Sequence, residues 1–178
     1  MIVILDMAIS PNGLIARENG EEDWLPDAGW DEFVEAAKGF DNIVMGRETY
    51  DVVTRLYDDY NFDSVPVSLK IIVSRDPKFK APKDYVVVQS PEAAVEVVAA
   101  KGHKELFLIG GGRLNSSFLK AGLVDEIHLT INPYIIGKGR SFIGPEDFEM
   151  PLQLIGTRVI SGDRIAVNYK VGNSKDKT

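Results

Sequence analysis

Glu105-Leu-Phe-Leu-Ile-Gly-Gly-Gly-Arg-Leu-Asn-Ser-Ser-Phe-Leu119 reads as strand, tight turn and helix. Leu106 to Ile109 supply a short apolar run, Gly110, Gly111 and Gly112 interrupt it, and Leu114, Phe118 and Leu119 recur at helical spacing. A turn without Cβ atoms lets a ligand reach the backbone. The N–H groups that open the next helix, at the positive end of its dipole, suit an anionic phosphate. The glycines are consecutive rather than spaced Gly-x-Gly-x-x-Gly, and no acidic residue follows a second strand at the expected distance, so this is not the Rossmann fingerprint. The stretch points to a nucleotide, with a plain strand-to-helix reversal as the structural alternative.

A second unit of the same kind lies upstream: Asn42 to Met45 is apolar, ends at Gly46-Arg47, and leads into a helix over about Glu48 to Leu56. Further upstream, Ile2 to Ile9 is apolar except for Asp6, which predicts a central strand covered on both faces. A carboxylate in such a strand must be paired, hydrogen-bonded or protonated, unless one face opens to water. Ser10-Pro11-Asn12-Gly13 is turn chemistry, Leu14 to Ala16 an apolar return, and the polar stretch Arg17 to Asp23 a possible lid. Asp27 can cap a helix over Ala28 to Lys38, whose Trp30, Phe33, Val34 and Ala37 share one face.

Downstream, Tyr57 to Val67 reads as a long loop, Leu69 to Val73 as a strand ending at Ser74-Arg75, and Tyr85 to Val88 as another strand. Pro91 to Lys101 is a helix begun by Ser90 and stopped by Gly102. Asp125 to Asn132 follows as a strand and Gly137 to Arg140 as a turn. Leu152 to Ser161 and Arg164 to Val171 then form a closing hairpin about Gly162-Asp163. Strands alternating with helices, then a hairpin, predict an α/β fold with a mixed sheet and helices on both faces. Residues 1–171 read as a single domain and 172–178 as a frayed tail.

Composition narrows the function. With no cysteine there is no thiolate nucleophile, and the two histidines, His103 and His128, are too far apart in sequence to suggest a metal cluster, so no metal is expected. A net charge of −7 disfavours nucleic acid as a partner, and any phosphate site must rest on local arginines. No apolar run approaches the roughly 18 residues of a membrane span. Met1 leads straight into Ile2-Val3-Ile4-Leu5 without a basic segment, so a cytoplasmic protein is expected.

Taken in order, these pieces resemble the dihydrofolate reductase fold, and more narrowly the stand-alone relatives of the reductase domain of bifunctional riboflavin-pathway enzymes. The resemblance rests on Met7-Ala8 with Asn12-Gly13-Leu14-Ile15, Trp24-Leu25-Pro26, Val44-Met45-Gly46-Arg47-Glu48-Thr49-Tyr50, Ile72-Val73-Ser74-Arg75, Ile109-Gly110-Gly111-Gly112-Arg113 and Leu129-Thr130. The stretch Pro133 to Phe142 is similar to the riboflavin-type domain rather than to folate reductase. The resemblance implies a mostly parallel central sheet between helical layers with a C-terminal hairpin, and NADPH as hydride donor.

It also implies residue roles. The pyrophosphate would lie between the helix openings at Gly46, Arg47, Glu48 and Thr49 and at Gly111, Gly112 and Arg113, with Ile109, Gly110 and Leu114 as further cofactor-binding residues. Arg47 and Arg75 match the 2′-phosphate site, Ser74 stands beside them as a cofactor-binding residue, and Ala8, Gly13 and Ile15 match the nicotinamide side. Thr130 matches a threonine that bonds the substrate-side acid, for which Asp6, Asp27 and Asp31 all stand as candidates. The implied activity is reduction of a small pterin- or aminopyrimidine-like heterocycle, as in 5-amino-6-(5-phosphoribosylamino)uracil reductase. Dihydrofolate reductase and a catalytically silent NADP-binding regulatory domain are the alternatives. A homodimer is expected on the same basis.

Overall fold

Apolar runs too continuous to leave a face in water pair into one eight-stranded sheet in the computed structural model, which describes residues 1–57 and 61–172. The expected tail, from residue 173 on, and residues 58–60 of the expected loop lie outside the described residues. In chain order the strands are β1 (Ile2–Ile9), β2 (Leu14–Arg17), β3 (Asn42–Gly46), β4 (Leu69–Val73), β5 (Tyr85–Val88), β6 (Glu105–Leu108), β7 (Glu126–Ile131), β8 (Gly139–Ser141), β9 (Leu152–Ile160) and β10 (Arg164–Val171). The helices are α1 (Ala28–Phe40), α2 (Arg47–Leu56), α3 (Pro91–Ala100) and α4 (Gly112–Lys120).

The large sheet runs β5-β4-β3-β6-β1-β7-β10-β9. Its first six strands are parallel and the closing hairpin adds β10 and β9 antiparallel, the mixed arrangement expected from sequence. Helices α3 and α4 cover one face, where Ala94, Val98, Leu114, Phe118 and Leu119 pack on Val3, Leu5, Leu106 and Leu108. Helices α1 and α2 cover the other, where Ala37, Tyr50 and Val53 pack on Ile43, Met45, Ile72 and Phe107. The fold is α/β, a mixed and mostly parallel sheet between two helical layers.

Three expectations need correction. Gly137 to Arg140 was read as a turn, but Gly139–Ser141 is a strand pairing with β2 in a separate two-stranded ribbon. Gly139 is required there, because a Cβ on it would sit 2.2 Å from the Ala16 carbonyl oxygen. Asp27 holds the N-cap position of α1 without a side-chain bond, since its helical backbone angles (φ −54, ψ −36) turn the carboxylate away from the amides that an extended cap residue reaches. The cover expected over both faces of β1 is incomplete, for on the Asp6 side the sheet beyond β1 opens into a polar cavity.

Candidate functional site

Crossover direction fixes where a ligand can sit. From β3 the chain passes through α2 to β4 on one side, and from β6 it passes through α4 to β7 on the other. The carboxyl ends of β3 and β6 are therefore a topological switch point, where open α/β sheets bind ligands. Backbone bonds draw the two ends together: Ile109 N–H donates to Val44 O (2.9 Å) and Gly46 N–H to Gly110 O (2.8 Å). The β1–β6 ladder ends at Leu5 and Leu108, whereas β1 stays paired with β7 as far as Ile9. A cleft opens between the end of β1 and the glycine turn.

That cleft is a cavity of about 330 Å³. Gly46, Glu48 and Thr49 line it from the α2 opening, Ile109, Gly111, Gly112, Arg113 and Leu114 from the α4 opening, and Met7 and Ile15 from the β1 side. Both strand–glycine–helix units thus converge on one space. The glycines are demanded by close approach. Gly110 has φ +90 and a Cβ there would meet Met7 Sδ at 2.9 Å; at Gly111 it would meet Thr49 Oγ1 at 3.0 Å and fill the cradle. The Gly110–Gly111 peptide is cis. Neither α2 nor α4 has a side-chain cap bond, and first-turn residues of both helices, at the positive dipole ends, line the cavity.

The remaining cofactor candidates, Arg47, Ser74, Arg75, Ala8 and Gly13, do not line this cavity. Arg47, first residue of α2, pairs with Asp51 (3.2 Å) and with Asp76 (3.0 Å) and lies 4.6 Å from the centre of the Phe79 ring. The Asp76 contact brings it to the end of β4, where Ser74 is buried and Arg75 exposed. Gly13 supports the ribbon, its carbonyl accepting from Phe142 N–H (3.1 Å). Ala8 and Gly13 line neither cavity.

Sequence reasoning missed two charged residues in the cleft. Arg140 arrives on β8 and donates from Nη1 to Glu48 (2.9 Å) and from Nε to the Glu18 carbonyl (3.2 Å). Glu22 arrives on the segment after β2, its backbone N–H donating to the Tyr57 hydroxyl (2.9 Å). Burial pushes the Glu22 carboxyl up to about 7. The Gly137-Lys138-Gly139-Arg140 stretch held a signal, since tightly spaced glycines allow close backbone approach, but nothing in it marks β2 as the partner.

A second cavity, about 350 Å³, lies over the sheet beyond β1. Register explains its lining. Asp6, His128, Asn168 and Gly156 form one row across β1, β7, β10 and β9, and Ala8, Thr130, Ala166 and Arg158 form the row two residues on, facing the same way. Small Ala166 and Gly156 leave a floor between the polar side chains of Asp6, His128, Thr130, Asn168 and Arg158. Desolvation pushes the Asp6 carboxyl up to about 6, against the opposing pull of His128. The structure thus brings Asp6 and Thr130 to one surface, whereas Asp27 and Asp31 are exposed and line neither cavity. Among the described residues no group of acidic, His or Cys side chains could hold a metal ion, and no helix is long and apolar enough to cross a membrane.

A family model described as the RibD C-terminal domain matches residues 1–166. The chain is 26% identical to protein YyaP of Bacillus subtilis (strain 168), over 94% of this chain and 93% of that one. Among solved structures, a putative riboflavin biosynthesis protein from Shewanella sp. PV-4 superposes with a TM-score of 0.77 at 26% identity, covering 97% of this chain and all of that one. Dihydrofolate reductase from Enterococcus faecalis, complexed with NADP(H), superposes with a TM-score of 0.71 at 17% identity, covering 97% of both chains.

Proposed function

The chain belongs to the RibD C-terminal domain family, and on that footing we propose that it is an NADPH-dependent reductase acting on a small heterocycle of the aminopyrimidine or pterin kind. The observation that carries this reading is the glycine cradle at the switch point, which two uncapped helix openings share. Bound there, NADPH supplies the hydride. The N–H groups of α2 and α4 hold its phosphates, Met7 and Ile15 give an apolar wall, and the β2–β8 ribbon keeps water from the cleft.

On the substrate side Asp6 would accept donor groups of the heterocycle or supply a proton, with the Thr130 hydroxyl in the adjacent row of the same face, and the nicotinamide would reach that face from the cofactor cavity through the gap left where the β1–β6 ladder ends at Leu5 and Leu108. The folate reductases that the chain resembles carry the substrate-side acid near the start of the first helix, whereas here Asp27 and Asp31 are exposed and line neither cavity, which favours an aminouracil-type substrate over dihydrofolate. An ionisable group kept at the cavity likewise favours turnover over a silent regulatory domain. The test is NADPH oxidation followed by absorbance with dihydrofolate and with 5-amino-6-(5-phosphoribosylamino)uracil. Oxidation with the aminouracil supports the proposal, faster oxidation with dihydrofolate favours the alternative, and cofactor binding without oxidation by either points to the silent domain.

Cofactor preference follows from Arg47. Its guanidinium can exchange Asp76 for the 2′-phosphate, so NADPH binds more tightly than NADH. Arg47→Ala should shrink that preference by roughly tenfold, about 1.4 kcal/mol, in parallel titrations. Equal affinities in the unmutated protein would sink the assignment.

The proposed assembly is a homodimer through β9. This edge strand exposes Leu154, Ile155 and Val159 (79% for Val159), and an antiparallel edge can pair with its own copy about a two-fold axis. Sedimentation should give twice the 19.7 kDa chain mass, and a monomer would contradict it.

A further inference from the structure

We infer that Arg140 is a phosphate ligand of the cofactor cavity and that Glu48 occupies its place until a phosphate arrives. The inference rests on the proposed nucleotide site and adds to it a residue outside the two glycine turns.

Glu48 is the second residue of α2 and Arg113 the second residue of α4. The Glu48 carboxylate therefore lies at the positive opening of α2, where negative charge is favoured. Two guanidinium groups flank it: Arg140 Nη1 at 2.9 Å from Oε1, and Arg113 Nη1 at 4.0 Å from Oε2. All three residues line the same cavity beside the Gly111–Gly112 cradle. One carboxylate between two arginines, at the opening of α2 and on the wall of the same cavity as the Gly111–Gly112 cradle, holds the place that a diphosphate would take. Arg113 is exposed (82%), so its charge is well hydrated, whereas the Arg140 side chain is only 33% exposed and is aimed by its second bond to the Glu18 carbonyl. Arg140 is the guanidinium already ordered for a ligand.

The exchange has a structural consequence. Arg140 links three pieces that meet over the cleft: β8, the segment after β2 and the start of α2. When a phosphate replaces Glu48 on Arg140, the ribbon remains tethered through the ligand and the carboxylate is released to water, where its 59% exposure already places it. Glu48 and the ligand then compete for one cation.

Glu48→Gln keeps the side-chain shape and removes the competing charge. It should tighten NADPH binding about tenfold by isothermal titration, whereas Arg140→Ala should weaken it by at least about tenfold, in the range of a lost charge-assisted hydrogen bond. Inorganic pyrophosphate, used as competitor, should follow the same order. The gain from Glu48→Gln should shrink in the Arg140→Ala background, because the two act through one contact. Arg140→Lys retains the charge and should recover part of the affinity, and melting curves of each variant separate misfolding from lost contact. If the unmutated protein binds NADPH while Glu48→Gln leaves affinity unchanged or lowers it, Glu48 is not a competitor and the inference fails with the cofactor site intact. If the unmutated protein binds no NADPH, the functional reading fails with it.

Discussion

Asp6→Asn should lower turnover by roughly 10²–10⁴-fold, the range for a lost general acid, while leaving NADPH affinity unchanged. The two effects separate because Asp6 and Met7 are successive residues of a strand and point to opposite faces. Met7 lines the cofactor cavity, and Asp6 the second one with His128, Thr130, Asn168 and Arg158. With its carboxyl pushed up to about 6, Asp6 is protonated in mildly acidic solution, so turnover that depends on its proton should fall as pH rises above about 6. Stability carries the same sign. The folded value lies above the ordinary 3.8, so folding takes up a proton; the contribution is full below about 3.8 and is lost as pH rises through about 6. A shift of this size corresponds to about 3 kcal/mol at most. Asp6→Asn should therefore melt higher than the unmutated protein at pH 8 and close to it at pH 4. Unchanged turnover would return Asp6 to a structural role and leave Asp27 and Asp31 as the acids to test.

Gly112→Ala should both destabilise the protein and abolish cofactor binding. A Cβ at this position would sit 2.2 Å from the Ser141 carbonyl oxygen and 3.3 Å from the Gly144 nitrogen. Both are backbone atoms, and Gly144 N–H already donates to the Gly112 carbonyl (3.0 Å), so no side chain can swing aside. Relief requires β8 to move away from α4, which carries Arg140 and Ser141 out of the cavity wall. Overpacking of this kind is destabilising by about 1–3 kcal/mol, or roughly 2–12 °C in melting temperature for a chain of this length. Gly29→Ala is the control: nothing lies within 4 Å of its added methyl, and it sits in α1, where alanine is the better helix former. Calorimetric scans of the two variants should move apart, and a Gly112→Ala protein that melts and binds like the unmutated one would show that the α4–β8 contact is not needed.

What could be read from the sequence was whatever is written in neighbouring residues. The parallel strands show as unbroken apolar runs because both their faces are buried, and the two glycine turns show because a strand stops and a helix starts within three residues. The β2–β8 ribbon was hidden. Gly139-Arg140-Ser141 has no apolar alternation, and its pairing with Leu14–Arg17 is set by a close backbone approach across more than a hundred residues of chain. Arg140 and Glu22 were hidden with it, since their place in the cavity depends on that ribbon and the segment it holds. Asp6 stood out as a lone acid in an apolar run, but its companions His128, Asn168 and Arg158 follow only from the register of four strands. The cap expected at Asp27 failed for a local reason: residue type suits the position, and backbone angles decide whether the oxygen reaches.

The most direct test of the cofactor assignment is isothermal titration of the purified protein with NADPH, repeated with Gly111→Leu. A leucine there fills the space in front of Thr49 that the phosphates need. We predict one NADPH bound per chain in the unmutated protein, more tightly than NADH, and no heat of binding in the variant. Equal binding of NADPH by both proteins would place the nucleotide elsewhere and contradict the assignment.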